Sequence, residues 1–290
     1  MRISPASRVL HLVLALAVGL ALTPAAPAGA RKPHRGPFRS LGAWVDIYDD
    51  ALWNNPEATV ATLAGQSVRT LYLETCNYNC PEPIHRPLLV ERFIHASHAS
   101  GIRIVAWYLP GFDDLHRDLS YTRAALNFRT SLGQGFDAFA LDIEARIVNP
   151  VAKRNRRIVE LSGKIRRAAG ARYPLGAITP PWFYEWGGPF PYRALHGIYD
   201  AFLPMIYFGG RGNGAKFARR AVALNFEEIR RGSGDRRAAI HAIGGVADDL
   251  GRREVAAFTD ATRRRGGIGV SLYDVGTSGP EDWRGLQAWR

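Results

Sequence analysis

Two carboxylates stand two residues apart at the end of an apolar run, Phe139-Ala140-Leu141-Asp142-Ile143-Glu144. Side chains of a strand alternate between faces, so Ala140, Asp142 and Glu144 share one face and Phe139, Leu141 and Ile143 the other. Ionised carboxylates are costly to desolvate, and an Asp-x-Glu closing a hydrophobic strand points to a site where one group holds a proton. Glu144 is the candidate proton donor. Asp142, about 7 Å along the same face, would raise the proton affinity of Glu144 and orient a substrate group. The alternative is a strand cap, with both acids paired to Arg146 or another Arg.

Acids and flat rings recur at the ends of other apolar runs. Trp44 and Asp46 share one strand face, as do Tyr72 and Glu74; Trp107, Trp182, Met205-Ile206-Tyr207 and Tyr273-Asp274 close further runs. Sugar rings stack their C–H faces on aromatics and bond their hydroxyls to carboxylates, and glycosidic cleavage needs an acid for the leaving oxygen. Asp46, Glu74, Trp44, Tyr72, Trp107, Trp182, Tyr273 and Asp274 are therefore the candidate substrate contacts. A lone acid at a strand end can instead bond loop backbone, and a Trp near such an end, Trp186 included, can instead fill core. His241 reads as a satisfied core histidine, Met205 as packing, and His85, His95 and His98 as surface residues, because no metal-binding H-E-x-x-H spacing occurs.

The elements that must position these residues follow a regular order. Strand-like runs occupy residues 42–47, 69–74, 102–109, 138–144, 175–179, 201–208, 239–244 and 267–273. Helical patterns occupy 56–64, 87–100, 118–132, 150–169, 215–231, 247–265 and 282–289. The crossover over 182–197 is rich in Gly, Pro and aromatics and reads as a loop with a short helix. Eight strand and helix units at intervals of about 30 residues match a single (β/α)8 TIM barrel, an α/β fold whose chemistry sits at the C-terminal strand ends. A doubly wound sheet would also alternate, but no G-x-G-x-x-G follows the first strand, and Gly209-Gly210-Arg211-Gly212-Asn213-Gly214 lacks the P-loop Lys and Ser/Thr.

Arg2 and Arg8 precede an apolar stretch over 9–22, and Ala28-Gly29-Ala30 matches a small-residue cleavage site, so residues 1–30 read as a secretory signal peptide. That stretch is too short for an ordinary membrane span, and stable membrane insertion is not expected. Residues 31–40 read as a basic linker and 41–290 as the barrel. The whole chain carries a formal charge of +12; loss of Arg2 and Arg8 with the leader leaves +10. A polyanionic cell-wall polymer would attract such a chain, although solubility and a base-rich genome favouring Arg account for the charge equally well. No basic stripe interleaved with aromatics supports nucleic-acid binding. Cys76 and Cys80, the only cysteines, fall directly after a strand, and in an oxidising compartment they are expected to form a disulfide. A zinc reading lacks its fourth ligand. The expectation is a secreted, extracellular or cell-wall-associated monomer with neither metal nor cofactor.

Leu141-Asp142-Ile143-Glu144 and Pro204-Met205-Ile206-Tyr207 resemble the Asp-x-Glu and Met-x-Tyr elements of family-18, chitinase-like glycoside hydrolases. The resemblance implies Glu144 as general acid, Asp142 as the residue placing the substrate's acetamido group, and Tyr207 as the hydroxyl supporting that group. The longer family pattern has Asp-Gly-x-Asp before Asp-x-Glu, where this chain has Gly135-Phe136-Asp137-Ala138-Phe139-Ala140. A looser resemblance, through Asp46 and Asp142 to Glu144, is to family-25 lysozymes. Together they imply a secreted glycoside hydrolase acting on a polysaccharide such as a cell-wall or amino-sugar polymer, with a non-catalytic carbohydrate-binding barrel as the alternative. An esterase would need a G-x-S-x-G elbow, which is absent.

Overall fold

The computed structural model describes residues 33–181, 186–209, 214–245 and 250–289. Eight parallel strands close into a barrel in chain order: β1 Ser40–Val45, β2 Thr70–Asn77, β3 Arg103–Leu109, β4 Ala138–Asp142, β5 Leu175–Thr179, β6 Ala201–Tyr207, β7 His241–Gly245 and β8 Gly269–Tyr273. The helices are α1 Asp50–Trp53, α2 Pro56–Gly65, α3 Pro87–Ala99, α4 Leu115–Asn127, α5 Val151–Ala169, α6 Tyr192–His196, α7 Gly214–Ser233, α8 Arg252–Arg264 and α9 Pro280–Leu286. The expected (β/α)8 architecture is thus present, with the short helix α6 in the fifth crossover. The leader read over 1–30 lies outside the described residues. No helix among the described residues is long and apolar enough to cross a membrane.

The strands are buried on both faces because helices cover the barrel outside and side chains fill it inside, which is why they read as apolar runs. The long helices turn one stripe inward. On α5, Arg154, Ile158, Leu161 and Ile165 recur at intervals of four and three residues and are buried. Helix α4 begins earlier than its periodicity predicts because Asp114 caps it, accepting the N–H groups of His116 and Arg117 at 3.0 Å. It ends at Asn127 because Phe128, at ψ 130°, leaves helical space.

The segment expected to be a linker is folded from Gly36. Residues Gly36–Phe38 form a 3-10 turn, and Phe38 is fully buried in the barrel interior. A Cβ on Gly176 would meet Phe38 at 3.0 Å and Leu203 at 2.8 Å, so a glycine in β5 makes room for this plug. Above it, Trp44 stacks on Tyr72 with ring centroids 4.1 Å apart, and Gly42 admits the Tyr72 ring, which a Cβ would approach to 2.7 Å.

Hydrogen bonds complete this layer. The Trp44 indole N–H donates to Ser271 Oγ at 2.7 Å, and Ser271 lies 2.9 Å from His241 Nε2. His241 Nδ1 is 2.9 Å from the Phe38 carbonyl, which can only accept, so Nδ1 carries the proton and Nε2 accepts from Ser271. Burial holds the His241 pKa down, to about 4, so this core histidine is neutral.

Candidate active site

One cleft of about 340 Å³ opens at the C-terminal ends of β2, β3, β4, β6 and β8, and Glu74, Trp107, Asp142, Glu144, Tyr207 and Tyr273 all line it. Strand β4 stops at Asp142, two residues short of the predicted end. The ladder still carries one bond further, Ile143 N–H to the Ile178 carbonyl at 3.0 Å, which fixes the chain as it delivers Glu144 to the cleft wall. Glu144 is half-buried, and burial raises its proton affinity. Asp142 is only 6% exposed. Its pKa lies well above the carboxylate range, first through burial and then through Glu144 and Glu74, and its Oδ1 has no hydrogen-bond partner. Two acids crowded this way disfavour double ionisation, which favours a proton-holding carboxyl inside the cleft.

Glu74 reaches the cleft from β2 through a β-bulge between Glu74 and Cys76, a common device for aiming a side chain beside a site. Its Oε2 accepts the Ile47 N–H at 3.0 Å and its Oε1 the Asn77 amide at 3.2 Å. Burial pushes its pKa up to about 7, the Ile47 bond opposing and the Asp46 and Glu144 charges adding to the rise. The Tyr207 hydroxyl is likewise held protonated, by burial and then by Asp142, Glu144 and Asp274.

The aromatic side is an arc. The Tyr273 ring lies 6.5 Å from Trp107 and 6.2 Å from Tyr207, and Trp107 meets Trp44 edge-on at 5.9 Å. Trp107 is 3% exposed, and its buried indole N–H has no partner. Asp46 sits behind this arc, where its Oδ2 accepts the Tyr273 hydroxyl and its Oδ1 the Tyr48 N–H, both at 2.8 Å. Asp274 accepts the Thr277 N–H at 2.9 Å and hydroxyl at 3.1 Å, so it ties its own loop together. Neither acid lines the cleft.

Trp44 and Tyr72 depart from the sequence expectation. Both are fully buried in the aromatic layer below the cleft, because they stand two residues, one layer of about 7 Å, before Asp46 and Glu74. Trp182 lies outside the described residues. Trp186 is core: it donates to Asn155 at 2.9 Å and packs under the Arg154 guanidinium at 4.2 Å. Cys76 and Cys80 form the expected disulfide, which closes the loop at the end of β2.

Sequence reading passed over Asn77 and Tyr48. Asn77 bonds both Glu74 and the Tyr48 hydroxyl, the latter at 3.0 Å, and Tyr48 stands on the rim at 73% exposure. The signal for Asn77 was its place between the two cysteines. Asp49 was also missed. Its carboxyl oxygen lies with those of Asp46 and Asp274 within 4.8 Å of one another, the one such grouping of three metal-ligating side chains among the described residues. Burial, then Asp46 and Asp274, raise Asp49 to about 6. The all-oxygen set suits a hard cation in type, but the Tyr48, Tyr273 and Thr277 donors already occupy much of its acceptor capacity.

No protein-family model matches the sequence, and no curated protein sequence matches it. Solved structures match in fold. An endo-β-1,4-mannanase from Thermotoga petrophila aligns with a TM-score of 0.64 and 12% identity, over 84% of this chain and 70% of its own. The spore cortex-lytic enzyme SleL of Bacillus cereus gives 0.62 and 12%, over 87% and 74%. A class V chitinase from Pseudomonas fluorescens gives 0.63 and 10%, over 87% and 99%. The structural neighbours are thus glycoside hydrolases, and the likeness establishes the shared barrel fold.

Proposed function

We propose that the protein is an exported glycoside hydrolase that cleaves a polysaccharide of the cell wall or of amino-sugar type, with Glu144 as general acid. The observation that carries this reading is the crowded carboxyl pair Asp142 and Glu144, whose proton affinities are raised by burial, lining an aromatic-walled cleft at the C-terminal face of the barrel. The glycosidases among the structural neighbours support it. Export is supported by the leader-like pattern of residues 1–30 and by the disulfide.

In this reading Glu144 gives its proton to the leaving glycosidic oxygen. Asp142 keeps that proton in place by raising the proton affinity of the pair, and it orients the sugar bound next to it. Tyr207, held in its protonated form, donates a hydrogen bond to the same sugar. Trp107 and Tyr273 stack on ring faces, with Asp46 fixing the Tyr273 hydroxyl. Of the acids able to oppose Glu144, Glu74 alone lines the cleft, whereas Asp46 and Asp274 are engaged behind it. Glu74 is therefore the second carboxylate, stabilising positive charge at the anomeric carbon or activating water.

Release of reducing ends from peptidoglycan, chitin-type and amino-sugar polymers tests the assignment. Glu144→Gln should lower the rate by at least about a hundredfold, the scale of general-acid catalysis. Equal rates for variant and wild type would remove Glu144 from the mechanism, and binding without turnover by the wild type would favour a carbohydrate-binding barrel.

A further inference from the structure

We propose that the cleft takes a cationic glycan, one whose sugars carry free, protonated amino groups, in preference to an N-acetylated or unsubstituted polymer. The inference rests on the glycoside-hydrolase reading and specifies its substrate.

Three acids, Glu74, Asp142 and Glu144, line the cleft, and no Arg, Lys or His does so among the described residues. The chain has 38 Lys and Arg against 26 Asp and Glu, so scarcity of cations is not the reason. Elsewhere it neutralises a buried acid: Asp200, 3% exposed, receives the Arg166 guanidinium at 2.8 Å as well as the Leu175 and His34 N–H groups. At the cleft the charges acting on Glu74 and Asp142 are those of other acids. Asp142 is more than nine-tenths buried and lines the cleft with Oδ1 unpaired. A buried, unpaired carboxyl among like charges lacks a positively charged hydrogen-bond donor. An ammonium group supplies three N–H donors and the charge. An N-acetyl group or a hydroxyl supplies donors without the charge and leaves the mutual repulsion of the acids in place.

A metal ion is the other cation to weigh. The acids nearest a metal-binding arrangement are Asp46, Asp49 and Asp274, none of which lines the cleft, and hydrogen bonds from Tyr48, Tyr273 and Thr277 already engage two of them. The unpaired oxygen belongs to Asp142 instead. A free amine also has no carbonyl oxygen with which to attack its own anomeric carbon. Hydrolysis of such a substrate must run on protein carboxyls, with Glu144 protonating the leaving oxygen and Glu74 acting opposite it.

The test is calorimetric titration of the full chain carrying Glu144→Gln, which binds without turnover, with glucosamine and galactosamine oligomers and their N-acetylated counterparts of equal length. The expected result is at least about tenfold tighter binding of one deacetylated oligomer than of its acetylated partner, a margin lost when Asp142→Asn is added. Thermal unfolding of each variant verifies that it is folded. Equal or tighter binding of the acetylated oligomers overturns the proposal and leaves the glycosidase reading standing. Binding of no oligomer overturns both. A preference that disappears with EDTA overturns it in favour of a metal held by the acids.

Discussion

Replacing Glu74 with Gln should stabilise the protein at alkaline pH while impairing its activity. Glu74 is 2% exposed, and its pKa moves from an ordinary 4.5 to about 7. Between those values the native state holds a proton that the unfolded chain has released. The stability contributed by the protonated side chain is therefore complete below 4.5 and is lost as pH rises through 7. A change of this size corresponds to about 3 kcal/mol between the protonated and ionised limits. Gln is a permanently neutral isostere that can still accept the Ile47 N–H. Wild type and Glu74→Gln should be close in stability at about pH 4.5, and the variant should be more stable by about 3 kcal/mol at about pH 8. Urea denaturation at the two pH values measures both numbers. A difference that stays within about 0.5 kcal/mol across that range would refute the reasoning, since it would mean that Glu74 is not held protonated by its surroundings. The same variant should lose turnover, because in the proposed mechanism the acid that costs stability is the second carboxylate beside Glu144.

Three further outcomes follow from the same geometry. The kcat/KM of the wild type should rise with pH as Glu74 ionises near 7, and this ascending limb should vanish in Glu74→Gln; a limb that persists assigns it to another group. Trp107→Phe keeps an aromatic ring but removes an N–H that no protein group accepts, so KM should rise roughly fivefold while stability falls by no more than about 1 kcal/mol, as read from saturation kinetics and urea titration. Replacing Cys76 and Cys80 together by Ala opens a short loop and should lower stability by about 2 kcal/mol, and wild type treated with reductant should match the variant.

The barrel was legible because each strand is buried on both faces and each long helix on one, so the period of the apolar residues changes at every element boundary. Alternation along a strand told which side chains share a face, as Glu74 does with Tyr72 and Asp142 with Glu144, and Glu74, Asp142 and Tyr273 all line the cleft. It did not tell depth. Trp44 has the same parity as Asp46 but stands a layer lower, and only the stack on Tyr72 and the bond to Ser271 reveal that. Boundaries failed where a single side chain decides them, as Asp114 does for α4. Contacts made by closure were invisible for a different reason. Asp46 and Tyr273 are 227 residues apart and meet only because β8 pairs with β1. Asn77 reaches Glu74 through a bulge, which shifts parity and has no signature in the pattern.

The two layers of the barrel interior treat polar groups differently, and the contrast supports the proposed site. In the lower layer a chain of donors finds acceptors: Trp44 to Ser271, Ser271 to His241, His241 to the Phe38 carbonyl. That layer is aromatic packing threaded by this chain of hydrogen bonds, and the edge-on contact of Trp44 with Trp107 carries it up to the cleft floor. One layer higher, an indole N–H and a carboxyl oxygen are buried without partners, and acids face acids. Native proteins seldom leave such groups unsatisfied, and each exception calls for a reason. A fold selected for stability alone would have placed one of its many arginines at this point, as it does at Asp200. The unpaired groups fit the proposed ligand, one that accepts from Trp107, donates to Asp142 and has a bond to which Glu144 would deliver a proton.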